Sequence, residues 1–287
     1  MPMNRLPMAK RVQILYALCE GASVNATARQ TGASKVTILK LLSEVGPVVL
    51  DYQQKTLVGL TSTKVQCDEI WSFVHSKERN VPRDEKGRGK GDCWTWTAIC
   101  ADTKLIPCWH VGTRDPDAAL LFMEDLASRL ANRVQLTTDG HTAYLTAVEK
   151  AFGWNGVDYA MLIKLYGGAG DTHSKGKHSP APLIGIQKKP IMGQPDEADV
   201  STSYVESQNT RMRTNIRRLT RLTNGHSKKI ENHVHAMSLW FMYYNFCRPH
   251  HTLTKNAGGI KTTPAMAAGK ADHVWKLDEV VALLGDA

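Results

Sequence analysis

Val65-Gln66-Cys67-Asp68-Glu69-Ile70-Trp71-Ser72-Phe73 is an apolar run, rich in β-branched and aromatic side chains, with two acids at its centre. Residues of this kind fit a pleated, half-buried strand. An ionised carboxylate in the middle of such a strand is costly unless a cation or hydrogen bonds compensate it. Asp68 therefore needs a partner, unless its strand lies at a sheet edge with that side in water. Glu69 points to the opposite face by strand alternation, which makes it the weaker metal candidate of the two.

Outward from this run the strand texture continues. Lys64 to His75, Asp92 to Ala101 and Lys104 to Val111 read as three successive antiparallel strands, with turns at Gly87-Arg88-Gly89-Lys90-Gly91 and Asp102-Thr103. Asp115-Pro116-Asp117 opens a helix to about Asn132, because proline is tolerated in a first turn and acids there complement the helix dipole. A short strand over Val134 to Thr138, a helix from about Thr142 to Phe152 and a strand over Asp158 to Leu165 follow. Gly167 to Ser203 is crowded with Gly, Pro, Lys and His and shows no sustained period, so it reads as an irregular insertion or mobile loop. Tyr204 to Thr223 and Ser227 to Phe246 are helical patterns separated by Asn224-Gly225. The order predicts an α/β fold, a ribonuclease-H-like mixed sheet flanked by helices.

Ahead of this layer, residues 8 to 45 predict three short helices. The first, about Ala9 to Glu20, carries Val12, Leu15, Tyr16 and Cys19 at helical spacing and stops at Gly21; the second runs from the cap Ser23 to Gly32. Ser34 caps a third, whose apolar stripe is Val36, Leu39 and Leu42 and whose outward residues are Lys35, Thr37 and Lys40. This is the pattern of an all-α helix-turn-helix DNA-binding domain, and also of a small helical cap with a solvated polar face. Gly46-Pro47 reads as the end of the third helix, with a connector over roughly residues 46 to 60. The expected organisation is a helix-turn-helix domain over 1–46, a linker over 47–63, a catalytic layer over 64–250 with an insertion at 167–203, and a tail over 251–287.

Two further acids join Asp68. Asp139 ends the apolar strand Val134-Gln135-Leu136-Thr137-Thr138, a place where sites gather in α/β layers, although Asp-Gly is also an ordinary turn. Glu206 opens an arginine-rich helix on which Glu206, Asn209, Arg213 and Arg217 share a face expected to meet DNA, while Val205, Met212, Ile216 and Leu219 line another that can pack. Arg211, Arg213, Arg217, Arg218 and Arg221 supply guanidinium forks that match phosphates. A solvated basic face, with Glu206 merely favouring the helix dipole, is the plain alternative. Three carboxylates converging would repel one another, so Mg2+ or Mn2+, as a pair of ions, is the expected cofactor. Zinc fits poorly: His173 and His178 fall in the irregular stretch, and His233 and His235 are too close in sequence to share a helix face.

The bulk composition agrees with a polyanionic partner. The 287-residue chain carries a formal net charge of +9, with 42% hydrophobic and 22% charged residues, so a folded basic protein is expected rather than a disordered one. A basic balance would equally suit an anionic membrane surface. Cys19, Cys67, Cys93, Cys100, Cys108 and Cys247 form no C-x-x-C pair and read as reduced structural thiols. Without an apolar leader or a long apolar span, cytoplasmic residence is expected.

Asp68-Glu69-Ile70-Trp71-Ser72-Phe73-Val74, Thr137-Thr138-Asp139-Gly140 and the long string from Val205-Glu206-Ser207-Gln208-Asn209 to Arg217-Arg218-Leu219-Thr220-Arg221 resemble the DDE transposases of bacterial insertion sequences, most closely the insertion-sequence-one type, over about Lys64 to His250. That resemblance implies a metal-binding triad of Asp68, Asp139 and Glu206, with Arg213 contacting DNA beside it. Tyr244-Asn245-Phe246-Cys247-Arg248-Pro249-His250 is similar to the closing segment of many such enzymes. Double-stranded DNA, as element ends and target, is the implied partner, and pairing of two ends implies at least a homodimer. Two features depart from the type. The N-terminal zinc-binding cysteine cluster often found there is reduced to Cys19, and the Asp139-to-Glu206 interval is long. Rival readings are a metal-dependent nuclease that performs no strand transfer, and a non-catalytic DNA-binding repressor.

Overall fold

The computed structural model describes residues 6–153, 156–167, 182–221 and 223–285. Three helices come first: α1 (Met8–Cys19), α2 (Val24–Thr31) and α3 (Lys35–Thr56). Ser23 and Ser34 cap α2 and α3 by accepting from the amides of Ala26 and Thr37, and Gly32, at φ 70°, takes the left-handed conformation that ends α2. Next come β1 (Lys64–Val74), β2 (Gly91–Cys100), β3 (Trp109–Gly112), α4 (Pro116–Arg129), β4 (Val134–Thr138), α5 (Ala143–Phe152), β5 (Val157–Tyr166) and β6 (Leu183–Met192). The chain closes with α6 (Ser203–Asn215), α7 (Ile230–Met242), a wide turn over Tyr243–Cys247, α8 (His251–Asn256), α9 (Pro264–Ala267) and α10 (Leu277–Ala282).

The strands form one open, mixed sheet in the order β3-β2-β1-β4-β5-β6. β1 runs antiparallel to β2 and parallel to β4; β4 and β5 are parallel, and β3 and β6 are antiparallel edges. Alternation on β1 splits the interior. Val65 and Cys67 face a core shared with Trp96, Phe122, Leu126, Tyr144 and Val148 under α4 and α5. Ile70 faces a second core with Val205, Met212, Trp240 and Phe241 of α6 and α7. Helices therefore cover both faces, as a sheet with parallel central strands requires. Among the described residues no helix is long and apolar enough to cross a membrane.

Several expectations are corrected. The connector predicted from residue 46 is helical: α3 runs through Pro47 to Thr56. Gly46 permits close approach to α7, since a Cβ there would lie 2.5 Å from the His235 Cβ. The buried stripe of α3 is Ile38, Leu41, Leu42, Val45 and Val49, whereas Val36 is 77% exposed. The strand predicted from Lys104 pairs only from Trp109. Asn245 takes the place of a ladder at Ile106, accepting from its amide (3.0 Å) and donating to its carbonyl (2.9 Å).

Part of the predicted insertion is regular, because β6 pairs with β5; residues 168–181, with His173 and His178, lie outside the described residues. The helix predicted to reach Thr223 ends at Asn215. Ile216 turns extended, and Leu219 folds back into the α6–α7 core. The following helix starts at Ile230, not Ser227, because the Ser227 carbonyl accepts from the His75 amide (2.7 Å) beside the end of β1. The predicted tail after residue 250 is three helices, and Ala265, Leu277, Val280 and Val281 belong to the main core.

Candidate metal centre

Parallel pairing of β1 with β4 sets Cys67 opposite Thr138, so Asp68 and Asp139 are the next residues along two neighbouring strands. Asp139 leaves the sheet at the β4 end, where its Oδ1 accepts from the His141 amide at 3.0 Å and shapes the turn into α5. Glu69 reaches the same place from the other face of β1. One carboxylate oxygen from each of Asp68, Glu69 and Asp139 lies within 4.8 Å of the other two.

Each acid is held differently. Glu69 is buried; Arg114 donates to its Oε1 at 2.6 Å and the Tyr144 hydroxyl to its Oε2 at 3.0 Å. Arg114 also lies 3.9 Å from Asp139 Oδ2 and stacks over Trp94, its guanidinium carbon 4.6 Å from the ring centre. Asp68 faces α6, where Asn209 donates its amide to Oδ2 at 2.8 Å. Asn209 Oδ1 is buried with no hydrogen-bond partner among the described residues.

The electrostatics follow from this crowding. Burial, with repulsion from Glu69, Asp139 and Glu206 added, pushes the Asp68 carboxyl up to about 7. Burial and the Asp139 charge likewise raise Glu69, opposed by Arg114 and Tyr144. One guanidinium against three acids leaves the cluster short of positive charge. Three hard oxygens, an unpartnered amide oxygen and repelling carboxylates fit a divalent cation such as Mg2+ or Mn2+.

Glu206 is not in this group. Lys164 of β5 holds its Oε2 at 2.6 Å, and the Thr202 hydroxyl donates to its other oxygen. It nonetheless lies one turn before Asn209 on α6, close enough for its charge to be felt at Asp68. The structure therefore brings Asp68 and Asp139 together, adds Glu69, and leaves Glu206 beside the cluster.

The chain matches no protein-family model and no curated protein.

The residues predicted to meet DNA are divided. Lys35 and Lys40 are exposed at the start of α3, with Lys40 4.0 Å from Glu44, and the Thr37 hydroxyl lies 2.8 Å from that of Ser34. Three arginines are used internally. Arg211 pairs with the His250 ring at 3.0 Å, Arg213 donates to the carbonyls of Leu219 (2.9 Å) and Trp71 (3.4 Å), and Arg218 donates to the Ser227 hydroxyl (2.9 Å). Burial depresses both Arg213 and Arg218 to about 10, helped at Arg213 by the charge of Arg221. Arg217 and Arg221 are exposed, and Arg217 has left the helical face it was expected to share with Glu206 and Asn209, because α6 ends at Asn215.

Sequence reasoning discounted Glu69 and missed Arg114 and Lys164. The signal for Glu69 was present: it continues the inward-facing series Val65 and Cys67, and a buried acid in such a series requires a partner. Arg114 and Lys164 had no such signal, since their roles depend on where the loop before α4 and the end of β5 fall in space.

Proposed function

We propose that the protein is a DNA transposase, with a ribonuclease-H-like catalytic layer that cuts and rejoins phosphodiesters and an N-terminal helix-turn-helix formed by α2 and α3 that engages element ends. The observation that carries the reading is the meeting of Asp68, midway along β1, with Asp139, just past the end of the neighbouring parallel strand β4, with Glu69 beside them and α6 opposite. The mixed sheet order, compatible with that layer, and the resemblance of the Val205–Arg221 string support it.

Asp68 and Asp139 would hold divalent cations, with Glu69 available to the same cluster and Glu206 joining once released from Lys164. Magnesium or manganese bound there supplies Lewis-acid activation of the attacking oxygen and charge neutralisation at the leaving one. Asn209 orients the Asp68 carboxylate, and Arg114 together with Tyr144 fixes Glu69. The exposed Lys35, Lys40, Arg217 and Arg221 supply the phosphate contacts that make DNA binding salt-dependent. Water as the attacking group gives nicking, and a freed 3′-hydroxyl gives joining at the same site. A second copy of the chain is required to hold two DNA ends together.

The test is incubation of the full chain with Mg2+ and a plasmid carrying its coding sequence with flanking DNA, followed by mapping of nicks and joined strands. The expected result is cleavage at defined ends and joined products, abolished in Asp68→Asn and Asp139→Asn, with Ca2+ supporting binding alone. Nicks that never become joined strands would favour a nuclease. Undiminished products in both variants would overturn the site.

A further inference from the structure

A row of aromatic rings leads away from the acid cluster. Trp71 and Phe73 follow Glu69 on the same face of β1, and Phe73 lies about 13 Å beyond it at the usual rise of a strand. The Trp71 and Phe73 ring centres are 5.8 Å apart, and Phe73 is 4.6 Å from the His226 ring. Lys77 hangs over Trp71 at 5.8 Å. Both Trp71 and Phe73 are only half-buried, so part of each ring remains open to solvent.

Phe73 also forms one wall of an open cleft of about 670 Å3, whose other walls include Lys77, Arg217, Arg221 and Asn224. No acid is among the described residues that line this cleft. Lys77, Arg217 and Arg221 form no ion pair among the described residues. Charge pairing therefore does not account for the three cations gathered beside this half-buried ring. The combination of aromatic faces with cations that track a phosphate chain is the chemistry by which proteins hold unpaired nucleotides.

We propose that this cleft binds an unpaired nucleotide of a single-stranded DNA segment, its base against Phe73 and its phosphates against Lys77, Arg217 and Arg221. The base must be unpaired, because a ring inside a duplex stack cannot offer its face to Phe73. The inference rests on the reading of DNA as substrate and sharpens it: the strand reaching the acid cluster along β1 is locally opened, or already single.

The experiment measures anisotropy of a fluorescein-labelled 15-mer of thymidylate and of a labelled blunt-ended two-strand duplex, each titrated with full-length protein in Ca2+, so that no strand is cut. Phe73→Leu is expected to weaken binding of the single strand by about tenfold while leaving the duplex within about twofold, and Phe73→Trp to restore it. Arg217→Ala combined with Arg221→Ala is expected to flatten the dependence of single-strand affinity on salt by about 1.4 in log–log slope. Equal weakening of both ligands by Phe73→Leu, no weakening of either, or an unchanged salt slope would each overturn the proposal. Because binding in Ca2+ needs no chemistry, a protein that shows these effects yet never cleaves DNA retains the cleft and loses the transposase reading.

Discussion

Lys164 Nζ lies 2.6 Å from Glu206 Oε2, and the Thr202 hydroxyl occupies the other carboxylate oxygen. Glu206 is thus neutralised by a strand residue while Asn209, one turn further along α6, grips Asp68. The ammonium and a metal ion compete for the same negative charge. Lys164→Met is therefore expected to tighten Mn2+ binding roughly two- to fivefold, the scale of a partly exposed ion pair. A thermal-shift titration with Mn2+ measures it, and an unchanged or weaker midpoint would contradict the competition.

Asp68 is placed where ion-free protein is strained by like charge. Asp68→Asn removes repulsion with Glu69, Asp139 and Glu206 and keeps an oxygen toward the Asn209 amide. In EDTA the variant is expected to melt higher than the parent by roughly 2 °C, as a gain of about 1 kcal/mol produces in a chain of this size. With Mn2+ the order reverses, because the parent gains a ligand that the variant has lost. Calorimetry in both buffers checks the pair of shifts; a lower melting point for the variant in EDTA would refute the strain argument.

His233 provides an acid-sensitive point in the core. It is fully buried, with Nδ1 3.0 Å from the Ser227 hydroxyl and Nε2 3.4 Å from that of Ser72; burial, helped by Arg218, lowers it to about 3. Unfolded, the ring titrates near its ordinary 6.5. Between these values the unfolded chain binds one more proton, so stability is complete above about 6.5 and declines as pH falls toward 3. His233→Gln, which cannot take up that proton, is expected to be less stable than the parent at pH 7.5 by about 1–3 kcal/mol. It should also lose less between pH 7.5 and 4.5. Urea midpoints at the two pH values decide it, and parallel losses in both proteins would exclude His233 as the cause.

Much of the sheet was legible because its central strands are buried on both faces: Val65 to Phe73 and Val134 to Thr138 carry the apolar run that parallel strands need. β6 was not legible. It is an edge strand with Lys188, Lys189 and Pro190 and with Ile184 and Ile186 exposed, so neither face imposes a period. At the site, Asp68 and Asp139 could be named from their places in strands, but the distance of Asp139 from Asp68 and Glu69 depends on a register that only the β1–β4 pairing fixes. The separation of Arg217 from Arg213 was invisible because Ile216 and Leu219 are equally at home in a longer helix and in the fold-back that buries them.

Gly46-Pro47 shows tertiary packing overriding a local stop signal, and the two residues are predicted to respond in opposite ways to the same substitution. In an exposed helix Gly→Ala is stabilising, but at Gly46 the new Cβ would sit 2.5 Å from the His235 Cβ of α7. Gly46→Ala must push α3 away from α7 and disturb the contact that Gln53 makes with the Ser238 carbonyl at 3.1 Å. The expected loss is about 1–3 kcal/mol, the scale of an overpacked core. Pro47→Ala restores an amide able to donate within the helix and removes the ring from the preceding turn, so it is expected to be neutral or stabilising. Chemical denaturation of both variants compares them directly; tolerance of Gly46→Ala would mean that the two helices do not meet as closely as described.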